Sequence, residues 1–131
     1  MRATLHALCR VAAAVMLAAV CGRSAWADEA SWAATRQAID RGIAYLQASQ
    51  KDSGAITAGQ YDTAMTSLAI MAMASVGVTA SDPGPAGECM RRAIDFVVDE
   101  QRRTPEGYFD QHDGSRMYGH GITTLMLSEL A

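Results

Sequence analysis

An all-α fold of antiparallel helical hairpins is what this sequence predicts. Three observations lead there. Half of the 131 residues are apolar and only 19% are charged, the balance of a packed chain and not of a disordered one. No run of alternating Val, Ile, Thr and aromatic residues suggests a half-buried strand, whereas Ala and Met are abundant. Four segments carry apolar residues at spacings of three and four, and the first two resemble the last two in order.

The N-terminal stretch is set apart first. Arg2 and Arg10 precede the apolar run Val11–Val20, and Ala25-Trp26-Ala27 closes the stretch with the small-x-small pattern cut by signal peptidases. The run is about half the roughly twenty residues that a membrane helix needs. The expectation is a cleavable signal over residues 1–27 and an exported protein in the periplasm, cell envelope or extracellular space. A retained N-terminal anchor and a lipid anchor on Cys21 are the alternatives, the second weakened by the large Val20.

Eleven Lys and Arg stand against fourteen Asp and Glu, and the leader takes Arg2, Arg10 and Arg23 with it. The acidic remainder has no basic stripe to neutralise phosphates, so neither nucleic acid nor an anionic membrane surface is expected as a partner. Cys9 and Cys21 also leave with the leader. Cys89 then has no internal disulfide partner and no companion metal ligand. It is read as a small buried hydrophobe or as half of an intermolecular disulfide.

Each helix has its own signals. Ser31 is the expected cap of the first, which runs to about Gln50 with Trp32, Ala38, Ile39, Ile43 and Leu46 on one face. The second runs from about Asp62 to Val76, ends at Gly77, and is apolar nearly all round from Met65 to Met73. Such a helix is expected to be buried on most faces. A turn-rich stretch over residues 79–87 leads to a third helix from about Glu88 to Arg102. A polar loop follows, and the fourth helix starts near Tyr118. Met65, Met71, Met73, Met90, Met117 and Met126 are expected chiefly in the core, with a Met-lined cavity for a lipid as the other reading.

The internal similarity runs in three blocks. Arg41-Gly42-Ile43-Ala44-Tyr45-Leu46 aligns with Arg92-Ala93-Ile94-Asp95-Phe96-Val97, and Gln50 with Gln101. Gly54 and Ile56 then align with Gly107 and Phe109. Last, Tyr61 to Leu68 aligns with Tyr118 to Leu125. The register changes only in loops, where insertions are tolerated. Two hairpins result, over about 31–77 and 86–131, each an amphipathic helix, a Gln, a Gly-containing loop and a more apolar helix.

This pattern of Arg, Gly or Ala, aromatic, aliphatic, Gln, Gly and a closing apolar residue resembles the QW repeat of the squalene and oxidosqualene cyclases. Protein prenyltransferase β subunits belong to the same superfamily. The resemblance covers nearly all of the chain after the leader, and it is specific for architecture and unspecific for reaction. It implies an α/α toroid in which the first and third helices are outer and the second and fourth inner. Arg41, Tyr45, Gln50, Gly54, Arg92, Phe96, Gln101 and Gly107 are then repeat-structural residues. Ile56 and Phe109 replace the closing Trp, the mark of a divergent member. Two hairpins cannot close a ring, so the expectation is the N-terminal part of a longer toroid; a short chain that oligomerises to cover itself is the alternative.

The cyclases protonate an alkene with clustered carboxylates at the start of an inner helix. Here that place reads Gly59-Gln60-Tyr61-Asp62-Thr63-Ala64, with a phenol at the donor position, too weak an acid for the task. Asp62 is therefore a weak catalytic candidate and is read first as an N-cap or first-turn acid. His120 is the second weak candidate. It is read as a packed histidine, a general acid–base group or, in likeness to the prenyltransferases, a zinc ligand, although no Asp-x-Cys pair accompanies it. Asp110, His112 and Asp113 share one polar loop and are read as solvated more readily than as metal ligands. Arg41 and Arg92 are expected in surface ion pairs, and Gln50 and Gln101 in hydrogen bonds to the start of the following inner helix.

No metal or cofactor is implied. The expected function is that of a binding or scaffold module with an apolar cavity or rim, its partner a lipid or isoprenoid-like ligand or a protein. The alternatives are a terpenoid cyclase whose acid motif lies in further repeats, and a polysaccharide-active toroid.

Overall fold

A computed structural model describes residues 29, 31–57, 59–99, 101, 103–109, 114–115 and 117–131. The leader with Cys9 and Cys21, and the loop residues Asp110, His112 and Asp113, lie outside the described residues. Described secondary structure is helical throughout, apart from one isolated antiparallel bridge between Gln50 and Ile56. Helical backbone covers residues 31–48, here α1, followed by α2 (Asp62–Ser75), α3 (Pro85–Val98) and α4 (Met117–Leu130). None of these helices is long and apolar enough to cross a membrane.

Contacts divide the chain into two compact units, Met1–Ile39 and Asp40–Ala131. In the first, Ser31 is itself helical and its carbonyl accepts from the Thr35 hydroxyl, so it is not the expected cap. Trp32 in the same stretch is exposed. Of the face expected to be apolar in α1, Ile43 and Leu46 pack against the core of the second unit.

That core is built by α2, α3 and α4. Ile70, Met73, Met90, Val97 and Met126 are essentially inaccessible, each such burial stabilising the fold by about 1.5–3 kcal/mol. α2 ends in a Schellman motif: the Gly77 N–H donates to Ala74 O and the Val78 N–H to Met73 O, at a left-handed Gly77. α3 starts earlier than expected, because Pro85 fits the first turn, where no N–H is needed. It also stops earlier, at Val98, where Asp99 leaves helical geometry and its carboxylate accepts from the Gln101 N–H.

α2 departs from the expectation in an instructive way. Met65 and Leu68 are about two-fifths exposed, while Thr63, Thr66 and Ser67 are buried. Helical hydroxyls can be buried because each finds a partner. Thr66 Oγ1 accepts from the Ile56 N–H at 3.0 Å, and Ser67 Oγ meets Thr123 Oγ1 of α4 at 3.0 Å. Small side chains on this face let the helices approach closely, while Met65 and Leu68 are left on the outer side and Ile70 and Met73 fill the core. For the same reason the methionines split: Met73, Met90 and Met126 are core, whereas Met65 and Met117 are exposed.

Candidate functional site

The loop joining α1 to α2 is anchored by motif residues. Gln50 Nε2 donates to Gly54 O at 3.0 Å and to Cys89 O of α3 at 2.8 Å. Both amide hydrogens are thereby used on α3 and on the loop, and not at the start of α2 as the sequence suggested. Arg92, expected in an ion pair, instead places Nη2 3.0 Å from both Lys51 O and Asp52 O. A guanidinium suits this task because it donates in several directions at once. Gly54 sits at φ +94°, and a Cβ there would overlap the Arg92 carbonyl. Glycine is required by conformation and by space together.

The loop before α4 repeats this local geometry. Lys51 N–H donates to Ala55 O and Gly54 N–H to Lys51 O; Thr104 N–H donates to Tyr108 O and Gly107 N–H to Thr104 O. Gly107 adopts φ +91°. The surroundings differ. Among the described residues nothing lies within 4 Å of a Cβ placed on Gly107, and Gln101 is exposed where Gln50 is half-buried. Arg41 and Tyr45 are exposed, whereas Phe96, the counterpart of Tyr45, is buried.

The two catalytic candidates do not meet in any described cluster. Asp62 is the first residue of α2 and pairs with Lys51 at 3.8 Å, which makes it the first-turn acid of the sequence reading and not a side-chain cap. Tyr61 before it takes a left-handed backbone at φ 65° and is exposed. His120 lies in α4, half-buried, stacked on Phe109 with centroids 5.8 Å apart and edge-on to Tyr108 at 4.9 Å. The Arg103 guanidinium approaches the Phe109 ring at 5.9 Å, so Phe109 anchors an aromatic stack where the resemblance placed a Trp. His120 Nδ1 is buried with no hydrogen-bond partner among the described residues. Among the described residues no group of three His, Cys, Asp or Glu side chains gathers as a metal site. Cys89 is buried and free, and burial pushes its thiol pKa up, partly offset by the positive charge of Arg92.

What the structure does offer is a groove along α1 and α2 with a volume of about 280 Å³. Tyr45, Leu46, Ile56, Met65, Leu68 and Ala69 form most of its walls. A sequence reading missed it because Met65 and Leu68 looked like core. A larger depression of about 340 Å³ between the ends of α2, α3 and α4 has Glu129 and Thr79 on its rim, and is the poorer apolar site. Comparison with known proteins adds no relative: no family model, no curated protein and no solved structure matches the chain.

Proposed function

We propose that the chain is a binding module of helical hairpins whose α1/α2 face takes an apolar partner. The observation that carries this is the groove between α1 and α2, with Tyr45, Met65 and Leu68 exposed beside it. Exposed large side chains in one contiguous patch mark interaction surfaces more often than they occur by chance. In this reading the protein is exported and is a divergent relative of the QW-repeat superfamily, part of a larger α/α array. The matched hydrogen bonds and glycine backbones of the loops at Gly54 and Gly107 support the hairpin part of that reading.

Nothing in the described residues favours a cyclase over a binder. Asp62 is engaged by Lys51, and a tyrosine precedes it where a strong acid is needed. The test is binding of an apolar fluorescent dye to the full chain and to Leu68→Glu. Enhancement that falls severalfold in the variant, with the helical circular dichroism unchanged, is the expected result. Equal enhancement in both proteins would overturn the groove as the binding face.

A further inference from the structure

We infer that the ligand of the α1/α2 groove is a single alkyl chain ending in an uncharged hydroxyl group, with Ser49 as the residue that receives the hydroxyl. The inference rests on the binding reading above and names the ligand class of the same groove. Size, charge and one uncommitted side chain carry it.

The groove holds about 280 Å³. Small-molecule sites run from roughly 300 to 1,000 Å³, so this one lies at the lower edge and fits one narrow chain, not a fused-ring body. Met65, Leu68 and Ala72 of α2 line it at spacings of three and four, so a chain can lie along one stripe of that helix. Leu46 and Ile56 complete an apolar floor.

No charged side chain lines the groove. Lys51, two residues after Ser49, and Asp62, three before Met65, pair with each other at 3.8 Å, so neither offers a counter-charge of its own. An ionised head group would stay hydrated and draw the first methylenes of its chain out of the groove. Each methylene withdrawn lowers affinity roughly fourfold. A hydroxyl enters at little cost where it finds a hydrogen bond.

Ser49 offers that bond. The helical hydroxyls of Thr35, Ser67, Ser75, Thr124 and Ser128 all bond back to carbonyls of their own helix. Thr57, also in the groove wall, exchanges its bonds with the Gly59 backbone. Ser49 is half-buried in the same wall, and its Oγ has no hydrogen bond among the described residues. Its backbone N–H donates to the carbonyl of Tyr45, whose exposed phenol flanks the groove. A serine hydroxyl both donates and accepts, which matches a ligand hydroxyl and gives no advantage to either charge.

The test is displacement of the apolar dye from the full chain by octanol, octanoate and octylamine at neutral pH, repeated with Ser49→Ala. Octanol is expected to displace the dye at a concentration about tenfold or more below that of either ion. Ser49→Ala is expected to weaken octanol about threefold or more while dye affinity and helical circular dichroism stay as in the parent, a split that a purely structural role would not give. Octanoate or octylamine binding as tightly as octanol overturns the inference, as does unchanged octanol affinity in Ser49→Ala. Leu68→Glu separates the two levels. If that variant loses the dye but octanol fails to displace it from the parent, the apolar face stands and the hydroxyl-bearing chain is wrong; if Leu68→Glu keeps the dye, both fall.

Discussion

The Gln50 side-chain amide reaches across 39 residues of sequence to the Cys89 carbonyl, 2.8 Å away, while its other hydrogen holds Gly54 O. One polar side chain thus fixes the α1–α2 loop and ties it to α3. Motif glutamines are expected to differ in worth for that reason. Gln50→Ala should cost about 1–2 kcal/mol through the stranded carbonyls. Gln101→Ala, at an exposed position where water can replace what the side chain touches, should cost less than Gln50→Ala. Urea midpoints of the two variants check this; equal losses would contradict it.

The two loop glycines test space against conformation. Both have φ near +90°, so alanine strains either by about 1–3 kcal/mol. At Gly54 the new methyl also meets the Arg92 carbonyl and the Phe96 side chain, adding about 1–3 kcal/mol of overpacking. Thermal unfolding of Gly54→Ala should therefore fall clearly below that of Gly107→Ala.

Ser67 and Thr123 form the buried hydroxyl pair between α2 and α4. The Ser67 hydrogen is committed to Thr63 O, so Thr123 donates to Ser67 Oγ. Thr123→Val should cost about 1 kcal/mol and Thr123→Ser less of the hydrogen-bond term. A double-mutant cycle with Ser67→Ala should return a coupling of about 0.5–1 kcal/mol. Zero coupling would mean that the hydroxyls merely adjoin.

Cys89 supplies a pH signature. Burial raises its thiol pKa in the folded protein, so the folded state holds the proton more tightly than the unfolded chain. Its contribution to stability is fully present below the unfolded thiol pKa, about 8.5, and is lost as pH rises through the folded value. Cys89→Ala should remove that part of the alkaline decline. Alkylation of the thiol at neutral pH should be slow until denaturant is added.

Helix existence was legible in the sequence because apolar spacing and capping residues act locally. Gly77 after α2 and the Gly54 and Gly107 pair announced themselves, since a left-handed backbone admits few other residues. Which side of a helix is buried was not legible. The apolar run places Met65 and Leu68 in the core, yet both are about two-fifths exposed, while Thr66 and Ser67 are fully buried. Hydroxyls are buried where a partner helix and a loop N–H happen to satisfy them, a property of distant residues such as Thr123 and Ile56.

The sequence by itself determined the all-helical class, the glycine-bearing loops and the absence of a clustered acid at Asp62, because each depends on neighbours a few residues away. Only the tertiary structure decided what Gln50, Arg92 and His120 touch and which apolar side chains face solvent. Those outcomes depend on how α2, α3 and α4 share a small amount of buried surface, and no local rule allocates it.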